Sequence, residues 1–243
     1  MIKLKDLLSE GINDPGIFKA VFLAGGPGSG KTYVAKQLFG IPERFNISMT
    51  GMKMVNSDKE LKFLLNKYGF GTDLDKMPDE LFKDLTSKGQ SGLRDYAKSL
   101  TKARMKLYQQ GKLGMIIDGT GHDYNKIAKM KKELEEDGYD TYMVFVGTDL
   151  EVAQKRNQQR DRVLPPELVK KSWTDVMSNG KKFISLFGKS NMIVVPNNQP
   201  LNYIQAMRKF ETIMKKGVSK FLKKPIKNKI AKMWIEKQKL LKK

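Results

Sequence analysis

The chain has 243 residues, no cysteine, and 46 basic side chains against 26 acidic ones, a formal net charge of +20. That length suits one large α/β domain, or a domain with an appendage, and the lack of cysteine excludes disulfides and thiolate metal sites. The surplus charge favours a polyanionic partner (nucleic acid, anionic membrane or acidic protein) over a neutral one, unless it reflects a lysine-rich solubility bias. Residues 1–10 alternate charged with apolar residues, which predicts a short amphipathic helix and not a secretory leader. No later stretch is long and apolar enough to span a bilayer, so the sequence reads as soluble and cytoplasmic.

Residues 11–16, Gly-Ile-Asn-Asp-Pro-Gly, form a turn cluster. Ile17 to Leu23 is nearly all apolar, the mark of a central parallel strand covered on both faces. Gly25, Gly26, Pro27, Gly28, Ser29, Gly30, Lys31 and Thr32 follow and meet the pattern G-x-x-x-x-G-K-[ST]. Glycines let backbone N–H groups turn inward around a phosphate, and the following helix adds partial positive charge at its N-terminus. Lys31 is placed to reach the β- and γ-phosphates of ATP, and the Thr32 hydroxyl to hold Mg²⁺. Gly40-Ile41-Pro42 ends that helix.

Met54-Val55-Asn56-Ser57-Asp58 is a short apolar run ending on a carboxylate, with a helical pattern after it. In a doubly wound sheet, ligands sit beyond the carboxyl ends of the strands, where Asp58 could orient a hydroxyl and take its proton. The competing reading is a capping box of Ser57 with Glu60. Residues 59–111 are mostly helical, broken around residues 87–92, and form an insertion between the second and third strands. Leu113 to Ile117 leads to Asp118, which is similar to a Walker B strand end and is suited to Mg²⁺ through water. No second acidic residue follows Asp118, which argues against an AAA-type motor, and no Asn-Lys-x-Asp segment follows the fourth strand, which argues against a GTPase. The sole histidine, His122, reads as a loop residue facing solvent.

A helix over residues 123–137 precedes the fourth strand, Thr141 to Val146. The next helix carries Arg156, Arg160 and Arg162, three arginines within seven residues of a chain whose charge is mostly lysine. Fixed guanidinium groups on one element are what a lid over a triphosphate needs. A helix starts at Pro166 and runs through Met177, and Lys181 to Phe187 reads as a separate amphipathic piece. The fifth strand lies within residues 191–198, with Asn197 at its polar end expected beside the adenine, and Leu201 to Met214 closes the domain. Residues 218–243 hold ten lysines against Glu236, with Ile226, Ile230, Met233, Trp234 and Leu241 able to form an apolar stripe. This basic tail reads either as a surface for membrane, partner or nucleic acid, or as a helix packed on its own domain. The expected organisation is 1–16 helix and turn, 17–217 domain, 218–243 tail. The expected fold is a doubly wound, mostly parallel five-stranded sheet of nucleotide-kinase type with a helical insertion and an arginine lid.

Four segments in this order, Gly-Gly-Pro-Gly-Ser-Gly-Lys-Thr, Asn-Ser-Asp, Asp-Gly-Thr-Gly and Arg-Asn-Gln-Gln-Arg-Asp-Arg with Val-Leu-Pro-Pro, resemble the zeta-toxin and polynucleotide-kinase branch of P-loop kinases over residues 17–215. The resemblance implies that Asp58 activates the acceptor, that Lys31 contacts the transferred phosphate, and that Arg156, Arg160 and Arg162 surround it. It also implies acceptor binding by Asp118, Gly119 and Thr120, where zeta toxins carry Glu-Gly-Thr. Lys59 and Lys62 stand where many polynucleotide kinases have an arginine. The style of the chain is similar to that of bacteriophage products. The implied activity is ATP- and Mg²⁺-dependent transfer of the γ-phosphoryl group to a polynucleotide or nucleotide 5′-hydroxyl. The alternatives are a nucleotide-sugar kinase and a non-catalytic ATP-binding module docking on nucleic acid or an assembly.

Overall fold

The computed structural model describes residues 11–41, 47–48, 50–69, 80, 92–159, 163–198, 202–213 and 217–241. The expected helix over residues 1–10, the middle of the insertion, and Arg160 and Arg162 lie outside the described residues.

Five parallel strands make one sheet: β1 (Lys19–Ala24), β2 (Lys53–Val55), β3 (Met115–Asp118), β4 (Asp140–Gly147) and β5 (Met192–Pro196), in the order β2-β3-β1-β4-β5. The strand buried along its whole length, β1, lies in the middle, because a strand covered on both faces has no polar side to offer water. The register sets Leu23 against Asp118 and Val55 against Ile117. The chain after β1, Asn56 after β2, and Asp118 on β3 therefore emerge side by side at one end of the sheet.

Helices cover both faces. Among the described residues these are α1 (Lys31–Phe39), α2 (Ser57–Lys67), α3 (Leu93–Gln110), α4 (Tyr124–Glu136), α5 (Leu150–Gln158), α6 (Pro166–Phe187), α7 (Tyr203–Ile213), α8 (Ser219–Lys223) and α9 (Lys229–Leu241). One core joins Val21, Leu23, Val144 and Val146 of the sheet to Val34, Leu38 and Phe39 of α1. The other joins Phe22, Met143 and Phe145 to Leu134 of α4 and Val176, Phe183 and Phe187 of α6. A third cluster holds α2 to α3 through Leu61, Leu64, Leu65 and Ala97. Beside it, buried Glu60 pairs with Arg104.

One expectation changes, and one of two open readings is decided. Pro166 to Phe187 is one helix and not two. The Ser-Asn-Gly segment that looks like a break is a packing device: a Cβ at Gly180 would already touch the Phe145 ring at 3.4 Å, and buried Asn179 donates to the carbonyls of Gly121 and His122. The basic tail is also built into the domain. Val218, Phe221 and Leu222 enter the first core, and Phe221 stacks on Tyr142 with ring centroids 4.1 Å apart. Lys19 Nζ donates to the carbonyls of Leu222 and Lys224. The Asp140 carboxylate accepts from the backbone N–H groups of Lys227 (2.8 Å) and Asn228 (3.1 Å), and Trp234 meets Phe18 edge-on at 5.4 Å.

Candidate active site

The loop from Gly25 to Gly30 turns at two left-handed glycines, Gly28 (φ 74°) and Gly30 (φ 75°), and Gly30 caps the start of α1. Both positions are also crowded. A Cβ at Gly28 would run into the carbonyl of Ala153, and one at Gly30 into the side-chain amide of Asn197, each inside the 3.0 Å limit of real Cβ contacts. Glycine is required there for conformation and for space alike. The loop is braced from below: Gly25 N–H donates to the Thr120 carbonyl at 2.9 Å, and the Ser29 carbonyl accepts from Asn197 Nδ2 at 2.8 Å and from Thr148 Oγ1 at 3.2 Å. Ser29 Oγ is buried and has no hydrogen-bond partner among the described residues.

Above the loop is a cavity of about 450 Å³, walled by Gly26 to Tyr33 together with Asp58, Arg94, Thr120, Arg156 and Leu164. Besides the loop residues Gly26 to Gly30, five residues singled out by sequence share it: Lys31, Thr32, Asp58, Thr120 and Arg156. Asp58 is exposed in the first turn of α2. The capping box does not form. Asn56 is the cap, and its Oδ1 accepts from the Asp58 N–H at 2.8 Å. Arg156 donates from Nη1 to the Asn197 carbonyl at 2.6 Å, which ties the arginine helix to the end of β5.

Asp118 stands just behind. Lys31 Nζ lies 3.6 Å from its Oδ1, an ion-pair distance too long for a hydrogen bond, and Asn56 Nδ2 donates to Oδ2 at 2.8 Å. Burial pushes the Asp118 carboxyl above its ordinary range, the Lys31 charge opposes that, and the Asp58 charge adds to it. Oδ1 is a buried acceptor without a hydrogen bond among the described residues. Oxygen donors at Thr32 and Asp118 suit Mg²⁺, which commonly keeps several waters and takes one or two protein ligands. Among the described residues, no three histidine, aspartate or glutamate side chains gather to hold a metal.

The remaining sequence candidates support the loop. Gly25 would meet Ser29 Oγ if it carried a Cβ, Gly119 N–H donates to the Leu23 carbonyl at 3.2 Å, and the Asn197 side chain, expected beside the adenine, is engaged on the Ser29 carbonyl. Sequence reasoning missed Arg94, which reaches the cavity from the insertion, and Asn56, which joins Asp58 to Asp118. The scarcity of arginine was the signal for Arg94. His122 is an exposed loop residue, as its sequence context implies, and its Nδ1 is hydrogen-bonded to the Thr120 hydroxyl.

A family model described as AAA domain matches residues 21–179, from β1 through the phosphate loop, Asp58 and Asp118 into α6. The chain belongs to the AAA domain family. This AAA domain has a kinase-like P-loop fold. Among solved structures it is similar to a chain of the PezAT chromosomal toxin–antitoxin system of Streptococcus pneumoniae, with a TM-score of 0.51 and 15% identity over 84% of this chain and 87% of that one. It is also similar to a Chloroflexus aurantiacus chain provisionally named a kinase, with a TM-score of 0.50 and 11% identity over 81% of this chain and 98% of that one. A chain of the Pnkp1/Rnl/Hen1 RNA repair complex matches with a TM-score of 0.47 and 19% identity over 72% of this chain, which spans about half (49%) of that chain's length. No curated protein matches the chain in sequence. The likeness to the PezAT and Chloroflexus aurantiacus chains is one of fold. The AAA label covers the P-loop domain, and Gly119 still stands where a motor would carry its second carboxylate. Among the described residues no helix is long and apolar enough to cross a membrane.

Proposed function

We propose that this AAA domain is a phosphotransferase that moves the γ-phosphoryl group of ATP to a hydroxyl acceptor, with a polynucleotide or nucleotide 5′-hydroxyl favoured. One observation carries the reading: a single cavity of about 450 Å³ joins a phosphate loop, an exposed carboxylate and two arginines from different helices. A binding module needs the loop. It does not need Asp58 facing the same space.

The roles follow from the chemistry of each group. Lys31 and the loop N–H groups hold the triphosphate. Asp58 takes the acceptor's proton as the new oxygen–phosphorus bond forms and the bond to the β,γ-bridging oxygen breaks. Arg156 and Arg94 offset charge on the moving phosphoryl group, with Arg160 and Arg162 assigned to the same lid by their sequence positions. Mg²⁺, held by Thr32 and through water by Asp118, would neutralise phosphate charge. The net charge of +20 supports an anionic acceptor.

The test is transfer of labelled γ-phosphate to a panel of 5′-hydroxyl DNA, 5′-hydroxyl RNA, nucleosides, UDP-N-acetylglucosamine and the protein itself. The expected result is label on a 5′-hydroxyl acceptor, lost in Lys31→Ala. No label on any acceptor, with ATP binding intact, overturns the reading and leaves an ATP-dependent binding module.

A further inference from the structure

Arg94 lines the phosphate cavity, and Lys98, Lys102 and Lys106 follow it at four-residue intervals along α3. These lysines line a second, larger cavity of about 730 Å³ between α3 and α4. Residues four apart rise about 6 Å along a helix, so the four cations form a row about 18 Å long. The second cavity begins at Ser57 and Asp118, next to Asp58 and the Lys31–Asp118 pair, so the two cavities adjoin.

The floor of this groove is apolar. Val55 and Ile117 come from the sheet, Met105 from α3, and Met130 and Leu134 from α4. Lys126, in the first turn of α4, faces the row from the other wall. At the far end Gln109 Nε2 donates to Asp137 Oδ2 at 2.8 Å, linking the two helices, and Glu133 and Asp137 line the groove there together with Lys112.

A compact anion is held by donors converging on one point. Here the cations are strung out in line above an apolar floor. That arrangement fits a linear polyanion with regularly spaced charges and flat apolar faces, which describes single-stranded nucleic acid. The volume falls within the range of about 300–1,000 Å³ typical of ligand sites, enough for a few nucleotides and too little for a duplex.

We propose that the α3–α4 groove is a single-strand track that holds the nucleotides following the acceptor's first one, with the terminal 5′-hydroxyl at Asp58. The direction of the strand rests on the phosphotransferase reading above. The groove's affinity for a single strand does not.

The test is binding of the full chain, without ATP, to fluorescent 5′-hydroxyl oligothymidylates of one, two, four and eight nucleotides, in a salt series. Affinity is expected to rise with length to about four nucleotides and then level off. Lys102→Glu/Lys106→Glu is expected to weaken binding by at least about tenfold and to lower the salt slope by about two, one for each phosphate no longer neutralised. ATP binding should stay unchanged in that variant. Lys232→Glu/Lys239→Glu, on the exposed side of α9, removes the same charge elsewhere and should change affinity by less than about twofold. Equal losses in the two double variants, or an unchanged affinity in the first, would overturn the track. Loss of binding in the groove variant alone, with no phosphoryl transfer to any acceptor, would remove the phosphotransferase reading and leave the track standing.

Discussion

Gly28 and Ala153 meet backbone to backbone. The phosphate loop rests on the arginine helix so closely that the Ala153 carbonyl occupies the place of a Cβ at Gly28, and Ala153 itself is fully buried. The loop and the helix carrying Arg156 are therefore packed in direct contact. Gly28→Ala should combine the left-handed strain of about 1–2 kcal/mol with displacement of α5, and should abolish ATP binding. Gly51, also left-handed (φ 80°) but with open space around it, is the control. Gly51→Ala should cost only about 1 kcal/mol and leave ATP binding intact. Urea midpoints and nucleotide titration read both.

Asp58 is exposed in the cavity, and its backbone, not its side chain, takes part in the cap. Asp58→Asn should therefore fold normally and bind ATP within about twofold of wild type, while transfer falls by about 10²–10⁴-fold. Equal turnover in this variant would remove Asp58 from the chemistry.

Arg94 and Arg156 wall the same cavity but differ in attachment. Arg156 also donates to the Asn197 carbonyl. Arg94→Ala should lower turnover by about 10²-fold with unchanged stability. Arg156→Ala should lower both, with a stability loss of about 1 kcal/mol for the hydrogen bond. Single-turnover rates beside melting curves separate the two.

Lys19 is buried under the returning C-terminal segment, and burial lowers its pKa to about 8, with Asp140 opposing the shift. The unfolded chain keeps that proton up to about 10.4. Between these values the unfolded state binds more protons, so stability should rise with pH. Wild type should gain on Lys19→Met between about pH 7.5 and 9.5. The Tyr142 hydroxyl, pushed up to about 12 by burial, works the other way only above about pH 10. Urea midpoints at fixed ionic strength across that range test the sign. A flat difference would show that the Lys19 ammonium is not buried in solution.

Trp234 packs edge-on against Phe18, itself fully buried beside Tyr139. Trp234→Ala should cost about 2 kcal/mol, less than a fully buried tryptophan because Trp234 is only half-buried. Removing residues 218–243 should unfold the domain, because Val218, Phe221, Leu222 and Ala231 complete its two main cores. A folded and active truncated chain would contradict this packing.

The chemistry at the phosphate loop was legible because it depends on local pattern. Gly25, Gly28, Gly30, Lys31 and Thr32 are fixed by turn geometry and by the start of one helix, and the apolar runs at residues 20–24 and 142–146 name their own strands. Asp58 and Asp118 were found for the same reason, since each lies at or just beyond the end of a short apolar run. What the sequence could not supply was distance between segments far apart in the chain. Arg94 reaches the cavity because α3 lies along α2. Asn197 stands under Ser29 because β5 pairs with β4, and the C-terminal lysines belong to a packed helix because Lys19 and Asp140 hold the chain that leads to it. Those relations arise only when the sheet closes, because burial and hydrogen bonding between distant segments have no period to read.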